Sequence, residues 1–450
     1  MNKKLMAVAV VAIIVIAGAA AAVYYAVDNK NNASYYSDNT DCRLEILGNA
    51  DENDYLDSND VDKINEMTAE GKYSQMADAD NNGTVDAADA KMVQDIIDLK
   101  AANAGKDDAD KECMSINYIN ADGNVVSANY PVFKIVVVNT QRALDVCNAI
   151  GVESRVVAIN DYIEKYGIGS NPVMYDYYNG LPSVGDRKNP DLETLEGVNA
   201  DTVYCGNSST YLKNVDSTAT TVGNKQILRL VTWEDGAFAT GALMLGFFTD
   251  ADTQAQNYVK WMDDIDAMTD QILDGISDKS ATSFLAASSA TYFGAQADGC
   301  SSALTVTGAT NVGNNIVTDT KDTGDYVANH IEDIITQDPD YIIITATISK
   351  SLTDEQVQEK YDGYLSNSKN TGYEQTIPTV TAVKEGNIAM IDYYLPFCMM
   401  TLLGAKVMFA DEFASVDVDS LLQEYITNYC VIKDDYTFNA NNFYYIPSDE

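Results

Sequence analysis

The sequence predicts an α/β protein of two similar lobes joined by one long helix. One helix–strand unit occurs twice: Leu192-Glu193-Thr194-Leu195 leads into Asp201-Thr202-Val203-Tyr204, and Ile331-Glu332-Asp333-Ile334-Ile335 leads into Asp340-Tyr341-Ile342-Ile343-Ile344. In each copy apolar residues at i and i+3 mark a short amphipathic helix, and a β-rich run follows the polar turn. The longest helical pattern, Thr253 to Ile276, lies between the copies, with Tyr258, Trp261, Met262, Ile265, Met268 and Ile272 on its apolar side. Strand-like and helix-like runs alternate on both sides of it, which is the mark of α/β construction.

At the N-terminus Lys3 and Lys4 precede an uncharged apolar run from Leu5 to Val27. That run is longer than a secretory h-region needs and long enough to span a bilayer. Residues 1–27 are therefore expected to be a membrane anchor with the rest of the chain outside, or a leader if cleaved. Residues 28–40 read as a linker.

Residues 41–112 hold 20 acids against 7 bases. Within them Asp78-Ala79-Asp80-Asn81-Asn82-Gly83-Thr84 … Asp89 sets oxygen donors at loop positions 1, 3, 5 and 12. The Thr84 carbonyl falls at position 7, and a glycine at position 6 permits the sharp turn. A hard cation takes six to eight oxygens, and alternate positions converge when such a loop curls, so the spacing predicts calcium. A weaker copy runs through Asn49, Asp51, Asn53, Tyr55 and Asp60, with Asp54 where glycine is expected. Two such loop–helix repeats resemble a small α-helical dockerin module with EF-hand-type loops. The resemblance implies a cohesin-like partner. Cys42 and Cys113 flank the segment and are candidates for a bridge; the seven cysteines show no zinc spacing.

From Met114 onward the elements come in order. Ile116–Ile119 and Val125-Val126 flank the Asp122-Gly123 turn of a hairpin. Next come a buried strand at 133–138, a helix at 142–150, a strand at 155–159, the first Glu–Asp unit, a strand at 227–231 and the long helix. A second series starts at Ser283-Phe284-Leu285 and continues through the second unit to Ile388–Ile391. This order, with Leu181-Pro182-Ser183-Val184-Gly185, Gly308-Ala309-Thr310-Asn311 and Ala382-Val383-Lys384-Glu385-Gly386-Asn387, resembles the substrate-binding proteins of ABC importers for iron–siderophores, haem and vitamin B12. The resemblance covers about Met114–Glu450. It implies two Rossmann-like α/β lobes, at about 114–250 and 280–450, bridged by a helix at about 251–277. It also implies that Glu193 and Glu332, exposed one per lobe, dock onto the membrane permease, and that the ligand is a metal chelate.

Loops at strand ends should line the cleft. Its candidates are Asn139, Thr140 and Arg142; Arg187 and Lys188; Trp233 and Glu234; Tyr292 and Phe293; and Tyr393 and Tyr394. Arginine and lysine there suit an anionic ligand, and aromatics a bulky face. A net charge of −40 disfavours nucleic acid. One histidine, with no GxSxG, P-loop or GxGxxG, leaves most enzyme readings without machinery. The alternatives are a calcium-dependent surface adhesion or scaffold protein and a glycosidase with paired carboxylates.

Overall fold

Four consecutive β-branched residues, Ile135–Val138, form a strand buried on both faces, as a parallel strand covered by helices on either side requires. The computed structural model describes residues 42–231, 237–432 and 436–447. The proposed anchor and linker lie outside them, as do Trp233 and Glu234. Among the described residues no helix is long and apolar enough to cross a membrane.

Hairpin strands β1 (Met114–Ile119) and β2 (Val125–Tyr130) pair antiparallel, with Ile119 opposite Val125. The first lobe is a five-stranded sheet of β3 (Ile135–Val138), β4 (Val156–Ala158), β5 (Thr202–Cys205), β6 (Thr221–Val222) and β7 (Lys225–Arg229), in the order β4-β3-β5-β7-β6. All its pairings are parallel except β6 with β7. The second lobe contains β8 (Ser283–Ser289), β9 (Tyr292–Gly294), β10 (Thr310–Asn311), β11 (Gly324–Tyr326), β12 (Tyr341–Ala346), β13 (Ile388–Asp392) and β14 (Tyr444–Tyr445). Their order is β11-β9-β8-β12-β13-β14, with β10 beside β8.

The helix Asp252–Leu273 bridges the lobes and buries Tyr258, Val259, Trp261, Met262 and Ile265, close to the expected face. The chain leaves the second lobe before its end, and rejoins it as β14. The helix Val418–Tyr429 returns to the bridging helix, where Tyr425 stacks on Trp261 and Tyr429 packs against Tyr258. Tyr258 and Trp261, three residues apart on one helix, and Tyr425 and Tyr429, four apart on the other, make that seam.

Two capped helices, Ser58–Glu70 and Ala87–Asn103, form the acidic segment. Each starts with the same capping box, Asp57/Asp60 and Asp86/Asp89. The segment has a small core of its own around Ile64, Ala77, Ala79 and Val93. It is also joined to the two-lobed body: Leu44, Ile46 and Ile96 enter the large core, and Ile46 bridges to Tyr118. Asn117 donates to the Ala79 carbonyl at 2.9 Å, and Lys100 pairs with Asp252 at 3.0 Å.

Candidate functional site

The two Glu–Asp units fold alike. Glu193 and Glu332 are each the second residue of a helix, Leu192–Gly197 and Ile331–Gln337, and both are exposed. Leu195 and Ile334, two residues further on, are fully buried. The helix period thus sends the apolar residue inward and the glutamate outward in both lobes. Beside Glu332, the imidazole of His330 meets Asp333 and Asp325, each at 3.0 Å. The hydrogen bond from Asp333, and then that from Asp325, raise its pKa above the ordinary histidine value.

In the first lobe β3 has β4 on one side and β5 on the other, so its carboxyl end is a topological switch point. A cleft of about 280 Å³ opens there, closed by the second lobe. From the first lobe it is lined by Thr140, Arg142, Tyr162, Arg187 and Tyr211, and from the second by Asp298, Cys300, Thr323, Tyr393 and Phe397.

The two cleft arginines differ. Arg142 is buried; its Nη1 donates to the Leu395 carbonyl at 3.0 Å and its Nη2 to that of Tyr393 at 2.5 Å. It ties the first lobe to the second, with its guanidinium also over the Phe397 ring at 4.9 Å. Arg187 is half-buried and lies flat on Tyr162, 3.6 Å from the ring centroid, with Tyr211 at 5.8 Å. Among the described residues no carboxylate lies within 4 Å of it and its side chain donates no hydrogen bond. In a chain with 68 acids to 28 bases, a cleft arginine without an acid is unusual. Stacking fixes the plane of the guanidinium and leaves its donor edge for a ligand.

Burial pushes the Tyr211 and Tyr393 hydroxyls and the Cys300 thiol up to about 12, so all three are neutral. Burial also raises Asp298, whose carboxylate caps the helix Gly299–Thr305 by accepting from Ser301 N.

Of the cleft residues expected from sequence, Thr140, Arg142, Arg187 and Tyr393 line it. Trp233 and Glu234 are outside the described residues, and the remaining five lie elsewhere. Asn139 is internal and accepts from the Thr140 amide. Lys188 is exposed outside the cleft. Phe293 is a core residue packed on His330. Tyr292 bonds to Thr323 through its hydroxyl, behind the lining. Tyr394 is buried and donates to the Tyr166 carbonyl at 2.8 Å, a second tie between lobes. Tyr162 and Tyr211 were missed, although each follows a strand that the sequence announces. Asp298 and Cys300 follow no such strand.

A larger groove of about 540 Å³ lies between Pro172-Val173 and Lys350–Leu352. Its one basic side chain, Lys350, is held by Asp392 and donates to the carbonyls of Ile348 and Asn442. Among the described residues, that groove offers no free cation.

In the second acidic loop Asp78, Asp80 and Asp89 bring carboxylate oxygens within 4.8 Å of one another, and Asp78 and Asp89 are buried. Gly83, at φ +89°, turns the loop so that its amide reaches Asp78 at 2.8 Å. Asn82 and Thr84 follow at the expected positions, the Asn82 side chain accepting from the Thr84 amide. The first loop keeps the same turn bonds and differs at its first position. Asn49 donates its side-chain amide to the carbonyls of Leu44 and Asn53, and burial pushes Asp60 up to about 7. Asp51 and Asn53 hydrogen-bond to each other, and Tyr55 donates its backbone amide to Asn53. Cys42, Cys113 and the other five cysteines are all free thiols.

No protein-family model and no curated protein matches the chain. Solved structures do. The TroA-like periplasmic binding protein FepB from Veillonella parvula aligns with a TM-score of 0.59 at 11% identity, over 74% of this chain and 99% of its own. CeuE of Helicobacter pylori, in a Ni-His complex, gives 0.52 at 16%, over 71% and 97%. The molybdate-binding protein MolA of Haemophilus influenzae gives 0.52 at 14%, over 70% and 97%. The likeness establishes the fold: the two lobes and bridging helix are arranged as in these periplasmic binding proteins.

Proposed function

We propose that this protein is the extracytoplasmic solute-binding component of an ABC importer, and that it carries an anionic metal chelate. The class includes iron–siderophore, haem and corrinoid complexes. The observation that carries the reading is the unpaired Arg187 stacked in a cleft between two lobes of periplasmic-binding-protein fold. Binding and presentation are its whole mechanism. Cargo settles against Arg187 and the tyrosines, the bridging helix keeps the lobes in register, and Glu193 and Glu332 meet basic residues of the permease. The comparison proteins named for molybdate and a Ni-His complex share this fold, which supports a solute-binding reading.

The second acidic loop is proposed to hold one calcium ion, through Asp78, Asp80, Asn82, Asp89 and the Thr84 carbonyl. Bound there, calcium offsets two of the three charges on the converging carboxylates and fixes the loop. The residues that receive the benefit include Asn117, whose side chain holds that loop to the receptor hairpin. A cohesin-like partner and an adhesion role have no observation in their favour.

The test is charge reversal at both glutamates. E193K/E332K is expected to abolish uptake in cells while leaving cargo affinity unchanged. Normal uptake by the double variant removes the docking role.

A further inference from the structure

We infer that the cargo is compact: a small carboxylate-bearing metal complex or a free oxyanion, gripped through two oxygens by Arg187, rather than a macrocycle. The inference rests on the receptor reading above and narrows it.

Volume comes first. Ligand sites for drug-sized molecules run to about 300–1,000 Å³, and this cleft holds about 280 Å³. A tetrapyrrole or corrin ring would enter only if the lobes moved apart. The lobes are bonded to each other beside the cleft by Arg142 to the carbonyls of Tyr393 and Leu395, and by Tyr394 to Tyr166. A third tie, from the Lys350 amide to Asn171 Oδ1 at 3.2 Å, lies further along the same seam. Widening the cleft would leave the buried Arg142 charge without acceptors, which is costly.

Charge comes second. Arg142 donates its guanidinium to carbonyls, and Lys188 lies outside the cleft, so among the described residues lining the cleft Arg187 is the single cation free to meet cargo. Its face is covered by Tyr162, so a ligand meets its edge, where two parallel N–H groups match a carboxylate or a similar pair of oxygens. The neutral hydroxyls of Tyr211, Tyr393 and Thr323 supply further donors, and Asp298 on the opposite wall disfavours a second anionic group there.

Isothermal titration on the full-length protein tests this with five probes: citrate, ferric citrate, molybdate, haemin and cyanocobalamin. At least one of the three small anions is expected to bind one to one, and the two macrocycles are not. Ferric citrate binding without citrate binding identifies the complex as cargo; molybdate binding identifies the free oxyanion. R187Q is expected to weaken that binding by about 10–100-fold. R187K, which keeps the charge but not the fork, should weaken it less, and K188Q should leave it unchanged. The inference is overturned if none of the small anions binds, if R187Q binds them as well as wild type, or if haemin or cyanocobalamin binds one to one. In the last case the receptor reading stands. Its own failure shows separately, as cellular uptake of every probe unchanged when the protein is deleted.

Discussion

Asp201 and Asp340 hold corresponding places in the two lobes and bind corresponding backbone. Asp201 Oδ2 accepts from the amides of Phe133 and Lys134, at 3.2 and 2.8 Å, just ahead of β3. Asp340 Oδ2 accepts from the amide and hydroxyl of Ser283, at 2.8 and 2.7 Å, where β8 begins. Each aspartate thus clamps the start of its lobe's first sheet strand to the strand beside it.

Replacing either by alanine should cost about 2–3 kcal/mol, the loss of two charge-assisted bonds. The clamps share no partner, so the double variant should lose the sum of the two within about 0.5 kcal/mol. Denaturation midpoints of the four proteins check this.

Lys350 and Asp392 form a fully buried pair, in which burial lowers the lysine and raises the aspartate against their mutual attraction. K350M strands the carboxylate and should cost about 3–5 kcal/mol, whereas K350M/D392L should recover most of it. Because Lys350 also bonds to the Asn442 carbonyl and lies over Phe443, hydrogen exchange should rise first at 436–447 in K350M.

Asp145 is buried under Tyr175, which donates to it at 2.7 Å. Burial pushes its pKa up to about 7, against the lowering effects of Tyr175 and Arg142. The unfolded chain ionises it near the ordinary carboxylate value. Between those two values the native state binds more protons than the unfolded state, so this residue makes stability fall as pH rises. Melting temperatures at pH 5 and 8 should therefore converge in D145N relative to wild type.

Calcium should raise the melting temperature and a chelator lower it, with one ion bound by native mass spectrometry. D78A/D89A should abolish the response, and N49A should leave the stoichiometry at one.

Repetition made the fold legible. The paired Glu–Asp units, the Asp-Gly hairpin and the apolar face of Thr253–Ile276 each follow from local periodicity, and each was found within a few residues of its place. The return of Val418–Tyr429 to the bridging helix was hidden, because tertiary packing of Trp261 on Tyr425 leaves no mark on local spacing. The cleft was half legible for a similar reason. Strand ends found Thr140, Arg142, Arg187 and Tyr393. Side-chain direction then separated Arg187 from Lys188 and Tyr393 from Tyr394, and alternation along a loop does not predict it.

The Arg142 tie also bears on time. On the proposed carrier reading, two halves bonded beside the cleft cannot shed a load by drifting open, so escape must wait for a rare loosening of the seam. Residence should be long in free solution, and it should shorten sharply in R142M at little change in arrival rate. Unloading then becomes work that the transporter does on the carrier, drawn from its own conformational cycle.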